Sequence, residues 1–129
     1  MNKVLVTGNL VQQPEVRVTP NGSSVLQNTI AVKRDRKNDK GEYETDFINF
    51  VAWNHDADFI KKYANKGDRL ELVGRWQVRK YEVKNETKTV NELIVESVSV
   101  ISKKEKEDEE KVTYADAMKN AFEKDDLPF

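Results

Sequence analysis

The stretch that decides the fold is TDFINFVAWNHDADFIKKYANKGDRLELVGRWQVRKYEV, residues 45–83. It begins with an alternating run of β-branched and aromatic residues at 45–54. Apolar residues then recur at helical spacing in 55–67, where Gly67 is a candidate helix end, and alternation returns in 68–83. The stretch therefore predicts one short helix between two long strands.

Further strands lie on both sides of this stretch. Apolar and β-branched residues predict strands at 3–11, 15–18, 25–34 and 88–101, and a charged loop is predicted at 35–44. One short helix between the third and fourth long strands is the order of a five-stranded Greek-key barrel of the OB type. We therefore predict an all-β OB-fold, with a β-sandwich as the alternative.

The composition fits one small domain with a charged extension. The chain has 129 residues, of which 37% are hydrophobic and 35% charged, and it contains no cysteine. We therefore expect a compact unit of roughly 100 residues without disulfides or thiolate metal sites. No apolar run approaches the roughly 20 residues of a membrane span. Residues 1–16 alternate instead of forming a long apolar stretch, so we expect no secretory signal. These features predict a cytoplasmic protein with no membrane partner.

The charge is distributed unevenly along the chain. Residues 1–104 carry 18 Lys and Arg against 14 Asp and Glu, a net charge of +4. Residues 105–129 carry 4 against 9, a net charge of −5. A basic body indicates a polyanionic partner, and an acidic tail indicates a separate role.

The residues available for catalysis are few. The single histidine, His55, begins the predicted helix and has no cysteine or second histidine as a metal-binding companion. Asp56 and Asp58 lie close by, but residues at i and i+2 of a helix face different directions. No phosphate-binding loop or nucleophile motif is present. We therefore expect no enzyme, no cofactor and no metal, and we expect His55 to be solvated or to make a weak phosphate contact.

Alternation in the strand at 45–54 separates a core face from a surface face. The apolar face, which is expected to lie in the core, carries Ile48, Phe50 and Ala52. The opposite face, which is expected to be exposed, carries Phe47, Asn49, Val51 and Trp53. Two large aromatic rings around an amide suit an exposed binding platform.

The strand at 68–83 divides in the same way. Trp76 shares a face with Leu70 and Leu72 and is therefore expected in the core. The opposite face carries a second polar and aromatic stripe, formed by Arg75, Arg79 and Tyr81. The region after the second long strand adds the cations Lys33, Arg34, Arg36 and Lys37.

Aromatic rings interleaved with cations are typical of surfaces that bind single-stranded nucleic acid. Every base has a π-face, and stacking contributes roughly 1–3 kcal/mol per base. Cations neutralise phosphates and make binding salt-dependent, whereas a duplex hides the faces of its bases. Stacking is indifferent to the sugar, so RNA is compatible with this pattern. The alternative is that Phe47, Trp53 and Tyr81 cover a subunit interface.

Four segments together resemble a known family. NKVLVTGNLVQQPEVRVTPNG (2–22), TDFINFVAWN (45–54), NKGDRLELVGRWQVRKY (65–81) and the terminal DDLPF (125–129) occur in the order found in bacterial-type single-stranded DNA-binding proteins. The sequence around DFIN (46–49) is most similar to that of members from Gram-positive bacteria and their phages. The resemblance implies an OB-fold over 1–103 and a homo-oligomer, usually a tetramer.

The resemblance also implies roles for individual residues. The stacking aromatics of the family match Phe47, Trp53 and Tyr81, and its cations match Lys3, Lys66 and Lys80. His55 stands where many members have a lysine, which favours a phosphate contact. Arg36 stands where most members have an aromatic residue, which predicts a steeper salt dependence. Trp76 replaces a smaller aliphatic residue and is interpreted as a packing difference.

The terminal residues match the docking peptide of the family, which recruits replication, recombination and repair proteins. This predicted tip consists of Asp125, Asp126, Leu127, Pro128 and Phe129, and a flexible, disordered charged linker is predicted at 104–124. The ring of Phe129 suits an apolar pocket, while its α-carboxylate and the two aspartates suit Arg or Lys around the rim. Without the rest of the match, DDLPF would be read as a frayed end.

Two functions are compatible with the sequence. The first is a sequence-independent single-stranded DNA-binding protein that coats and protects DNA and recruits partners through its tail, at the nucleoid or in the host cytoplasm if the protein is phage-encoded. The second is an OB-fold adaptor subunit of a primosome or recombination complex, with weak nucleic-acid binding. Deletion of 125–129 distinguishes them, because only the first predicts that recruitment is lost while DNA affinity is kept.

Overall fold

The structure, a computed structural model, describes residues 1–103, so the predicted linker at 104–124 and tip at 125–129 lie outside the described residues. In chain order the elements are β1 (Val4–Leu10), β2 (Arg17–Val18), β3 (Ser24–Lys37), β4 (Tyr43–Trp53), α1 (His55–Tyr63), β5 (Arg69–Val83) and β6 (Glu86–Ser102). Within the described part, no helix is long and apolar enough to cross a membrane.

The five long strands close into a barrel, and the two-residue strand β2 pairs only with β3. Their order in the sheet is β1-β5-β6-β4-β3-β2, and β1 also pairs with β3 through Asn9–Ala31 and Leu10–Ile30. The pairing of β4 with β6 is parallel, and the other pairings are antiparallel. The closed barrel with one helix between β4 and β5 confirms the predicted OB-fold and excludes the β-sandwich.

Barrel closure depends on a close backbone approach at β1. A Cβ atom on Gly8 would lie 2.3 Å from the carbonyl oxygen of Ala31, so only glycine fits beside Asn9, where β1 pairs with both β5 and β3. This position accounts for the glycine that interrupts an otherwise β-branched strand.

Both long hairpins extend further than the sequence predicts. The loop between β3 and β4 is only 38–42, because the Oδ1 atom of Asn38 accepts hydrogen bonds from the N–H groups of Lys40 and Glu42, at 2.9 and 3.0 Å. Lys84 and Asn85 connect β5 to β6 with φ values of 52° and 64°. Positive φ at both positions of a two-residue loop is typical of a type I′ turn, whose twist matches the strands.

The core fills the barrel, and α1 covers one end. The buried apolar cluster is formed mainly by Leu10, Leu26, Ile30, Phe50, Ala52, Leu70, Leu72 and Leu93, and α1 adds Ala57 and Ile60. Asp68 is 1% exposed, and its Oδ2 atom accepts a hydrogen bond from the Asn65 N–H at 2.8 Å. This contact fixes the turn that leads from α1 into β5.

Two burial assignments made from alternation are wrong. Val51, expected on the surface, is only 4% exposed, because β4 has a neighbour on each side there, with Gln27 of β3 and Ile94 of β6 beside it. Trp76, expected in the core, is 38% exposed. Its face does point inward, but the neighbouring Val78 on the same face is 55% exposed, so this part of β5 reaches the barrel rim and is only partly covered.

Candidate nucleic-acid interface

The strand register brings the predicted binding residues to one side of the sheet. One row crosses four strands, with Gln27, Val51, Ile94 and Arg75 paired in succession. Directly paired residues point to the same side, and side chains alternate along each strand. The odd-numbered residues of β4 and β5 therefore share one side, which carries Phe47, Trp53, Arg75, Arg79 and Tyr81.

The three aromatic residues on this side, named here the aromatic stripe, are open to solvent. Phe47 is 67% exposed, Trp53 42% and Tyr81 40%. Phe47 and Trp53 are six residues apart on β4, a distance of roughly 20 Å along the strand. Large rings with this exposure can each offer a face to a base.

Trp53 is held in place at the end of β4 by the residue that follows it. Asn54 has a φ of 50°, and its N–H donates to the Ser24 carbonyl oxygen at 2.8 Å. The Oδ1 atom of Asn54 accepts a hydrogen bond from the Ser24 N–H at 3.1 Å. Because both groups of Asn54 bind β3, the chain turns sharply into α1 while Trp53 stays on the sheet, paired with Val25.

Arg34 lies away from the aromatic stripe. Its Nη2 atom is 2.9 Å from Asp46 Oδ1, and its Nη1 atom is 3.0 Å from Glu44 Oε2. The hydrogen bond from Arg34 and its charge lower the pKa of Asp46, and the same hydrogen bond and the two carboxylates raise the pKa of Arg34. Asp46 and Glu44 are even-numbered residues of β4, so this cluster occupies the side opposite Phe47.

Two other predicted cations also have carboxylate partners. The Nε atom of Arg79 lies 2.8 Å from Oε1 of Glu92, which is 5% exposed. The Nζ atom of Lys3 lies 2.6 Å from Oε1 of Glu96, and both side chains are exposed. A phosphate would have to compete with these carboxylates, so each of the two cations adds less to anion binding than its charge alone suggests.

The remaining predicted cations differ in exposure and in the side of the sheet that they occupy. Exposed positions are occupied by Arg36, Lys37, Lys66, Arg75 and Lys80, and Lys33 is partly buried. Lys80 is even-numbered and points to the side opposite Tyr81. The His55 side chain is 91% exposed, with Nδ1 3.7 Å from Asp56 Oδ1. His55 follows Trp53 by two residues, so it is the predicted phosphate contact nearest to that ring along the chain.

Sequence reasoning missed two aromatic features. Tyr43 was assigned to a loop, but it begins β4 and lies on the same side as Phe47. Extending the alternation two residues before 45 would have found it. On α1, the rings of His55, Phe59 and Tyr63 follow at four-residue spacing, with centroids 6.5 and 4.9 Å apart. Within residues 1–103, no group of three His, Cys, Asp or Glu is placed to hold a metal ion.

Known proteins are similar to this chain in sequence. The model of the single-strand binding protein family matches residues 1–101. A Bacillus cereus protein named single-stranded DNA-binding protein is 40% identical over 102 residues, which is 78% of this chain. Bacillus subtilis single-stranded DNA-binding protein A is 39% identical over 105 residues, 81% of this chain.

The relatives differ in how much of their own length is matched. The chain spans about 60% of the length of the Bacillus relatives, with 60% of the B. cereus protein and 61% of the B. subtilis protein covered. A Streptococcus agalactiae protein named single-stranded DNA-binding protein 2 is 34% identical over 129 residues, covering 99% of this chain and 98% of that protein. The similarity to proteins of Gram-positive bacteria agrees with the resemblance around residues 45–54.

Proposed function

This chain belongs to the single-strand binding protein family, and from that premise we propose that it binds single-stranded DNA without sequence preference. In this role it coats and protects DNA strands exposed in replication, recombination and repair. The observation that carries the proposal is the aromatic stripe, because Phe47, Trp53 and Tyr81 are exposed on one side of the barrel. The proposed activity is binding alone, without catalysis, cofactor or metal.

The binding energy comes from two sources in this proposal. Bases stack on the rings of the aromatic stripe, at roughly 1–3 kcal/mol per base. Phosphates are neutralised by surrounding cations, and the release of counterions makes the affinity fall as salt rises. A duplex presents only base edges, so the same surface discriminates against it. Stacking does not distinguish DNA from RNA, because it does not involve the sugar. Any preference for DNA must therefore come from other contacts.

The cations contribute unequally to the proposed phosphate contacts. The main contribution is assigned to the exposed cations Arg36, Lys37, Lys66, Arg75 and Lys80. The partly buried Lys33 and the exposed His55, which lies beside Asp56, are assigned further contacts. Lys3 and Arg79 contribute after exchanging Glu96 and Glu92 for phosphate. Arg34 is the weakest member of the set, because Asp46 and Glu44 hold it on the opposite side.

We further propose that the protein forms a homo-oligomer, a tetramer in the form usual for the family. Leu5 on β1 is 73% exposed and is paired with Val73 of β5, which forms an apolar patch on the outer side of the barrel. Nearby on the same side of β5, the Nη1 atom of Arg69 is buried without a hydrogen-bond partner among residues 1–103. Glu71, exposed on the same side, is a charged group that a contact between two-fold-related copies would have to pair.

The proposal assigns partner recruitment to the tip at 125–129, which lies outside the described residues. Its support is the similarity of DDLPF to the docking peptide of the family. Deletion of 125–129 is expected to leave DNA affinity unchanged or slightly higher, because an acidic segment no longer competes for cations, and to abolish recruitment of replication, recombination and repair proteins. The proposed place of action is the cytoplasm, at the nucleoid or in the host cell of a phage.

A titration of intrinsic tryptophan fluorescence tests the central proposal. Oligo-dT of 35–70 nucleotides is expected to quench the fluorescence strongly at low salt and less at high salt, and a duplex of equal length is expected to quench it weakly. Replacing Trp53 and Tyr81 together by alanine should weaken binding by about 30-fold or more, at 1–3 kcal/mol per base lost. Undiminished affinity in a folded double variant would contradict the site, and the absence of binding by the unaltered protein would leave the adaptor function.

A further inference from the structure

Tyr43 extends the open side of β4 beyond the aromatic stripe. It lies four residues before Phe47, so the alternation places both rings on the same side of the sheet, roughly 13 Å apart along the strand. The position follows from the length of the hairpin, since β4 begins at Tyr43 and pairs there with Lys37 of β3. Tyr43 is therefore part of the sheet surface that carries Phe47 and Trp53. It lies at the loop end of the hairpin formed by β3 and β4, named here the β3–β4 arm.

Two lysines meet at this ring. The Nζ atom of Lys33 lies 4.2 Å from the centroid of Tyr43, and that of Lys37 lies 5.5 Å from it. Both distances are in the range of cation–π contacts. The hairpin loop holds this arrangement, because Asn38 donates its N–H to the Glu42 carbonyl oxygen at 2.8 Å directly beside the Lys37–Tyr43 pair. An aromatic ring with two cations thus stands on a hydrogen-bonded hairpin end.

The space beside the ring can hold a nucleotide. A cleft of about 440 Å³ opens between the arm and the outer side of β1 and β5, and Tyr43, Lys33, Thr7 and Arg69 contribute to its walls. Its lining combines a ring for stacking, the hydroxyl group of Thr7, three cationic residues (Lys33, Arg34 and Arg69) and one carboxylate, Asp35. The ring suits a base and the excess of cations over the one carboxylate suits its phosphate.

We propose that Tyr43, Lys33 and Lys37 form a nucleotide subsite that extends the path of single-stranded DNA past Phe47 along the β3–β4 arm. The subsite rests on the proposed function and adds a stacking residue to it. In the unbound protein the lysines lie against the ring. When DNA binds, a base takes a face of Tyr43, because base stacking is stronger than an exposed contact with a lysine, and the flexible lysine side chains turn to the adjoining phosphates.

The dependence of affinity on oligonucleotide length distinguishes this subsite from the aromatic stripe, because only longer oligonucleotides reach both. The added 13 Å corresponds to about two to four nucleotides at a rise of about 3.4 Å or more each. Binding of fluorescein-labelled oligo-dT, from 8 to 35 nucleotides in small steps, is measured by anisotropy for the full chain. Tyr43→Leu is expected to weaken the longer oligonucleotides by about 5- to 30-fold and to leave the shortest bound oligonucleotides unchanged. Tyr43→Phe, which keeps the ring, is expected to bind within twofold of the unaltered protein at every length.

Phe59→Leu is the matched control, because it removes a partly exposed ring from α1, outside the proposed path. Equal loss of affinity in Tyr43→Leu and Phe59→Leu would overturn the subsite, and so would binding of long oligonucleotides by folded Tyr43→Leu within twofold of the unaltered protein. If the unaltered protein bound no oligonucleotide, the proposed function would fail together with the subsite. A loss in Trp53→Ala alone would leave the function intact and reject the subsite.

Photocrosslinking tests the subsite without any substitution. The full chain is irradiated with an oligonucleotide that carries 5-bromodeoxyuridine, and crosslinked residues are mapped by mass spectrometry. Crosslinks at Tyr43 in addition to Trp53 are expected. Crosslinks at Trp53 with none in peptides containing Tyr43 would overturn the subsite while supporting the proposed function.

Discussion

The two tryptophans provide a matched pair for testing which side of the barrel meets DNA. Trp53 and Trp76 are nearly equally exposed, at 42% and 38%, but they lie on opposite sides of the sheet. Trp53 is on the outer side with Phe47, whereas Trp76 is paired with Leu93, which is fully buried in the barrel. Replacement of either ring by alanine removes the same side chain with a similar buried fraction, so only its location differs.

The expected loss of affinity follows from one base stack. Trp53→Ala removes a platform worth roughly 1–3 kcal/mol, which corresponds to about a 5- to 150-fold rise in Kd for oligo-dT. Trp76→Ala is expected to leave Kd within about twofold. Complete burial of such a ring is worth about 3–5 kcal/mol, and both rings are roughly three-fifths covered, so both variants are expected to lose about 2–3 kcal/mol of stability. Stability loss therefore cannot account for a difference in affinity between them.

Fluorescence quenching gives an independent measurement of the same geometry. Trp76→Phe leaves Trp53 as the single tryptophan, and its emission is expected to be quenched strongly by oligo-dT. Trp53→Phe leaves Trp76, whose emission is expected to change little, although DNA still binds. Equal quenching of the two reporters, or an equal loss of affinity in the two alanine variants, would refute the assignment of the binding surface to the outer side of β4.

Three further substitutions test other parts of the structure. Gly74→Ala places a Cβ atom 2.1 Å from a carbonyl oxygen of β6 and is expected to cost more than about 2 kcal/mol in urea unfolding; an unchanged midpoint would contradict this close approach. Arg79→Gln leaves the buried Glu92 without its partner and is expected to cost about 1–3 kcal/mol, with a smaller change in DNA affinity than Arg75→Gln; the reverse order would contradict the ion pair. The lowered pKa of Asp46 means that its contact with Arg34 stabilises the fold above the ordinary Asp pKa of 3.8, and that this stabilisation is lost as pH falls through the lowered value. In Asp46→Asn, the unfolding temperature should therefore fall less steeply as pH is lowered through the acid range. An unchanged dependence of the unfolding temperature on pH would reject this contribution.

Much of the barrel could be predicted from the sequence because its signals are local. Alternation in 45–54 assigned Phe50 and Ala52 to the core and Phe47 and Trp53 to the surface, and the change of period at 55 located α1. Side-chain direction on a strand depends only on residue parity, so it can be read without knowing the neighbouring strands. The aromatic members of the candidate site were therefore available from the sequence, while their contact with DNA stays a prediction.

What the sequence by itself determined was the order of strands and helix, the direction of side chains along each strand and the presence of exposed rings among cations. Only the tertiary structure decided which sides of β4 and β5 coincide, because that depends on the register through Val51, Ile94 and Arg75. It also decided that Arg34 is held by Asp46, that Tyr43 joins the open side of β4, and that Trp76 lies at the barrel rim. The physical reason is that alternation is a property of one strand, whereas burial and charge pairing depend on which residues of distant strands are placed beside it.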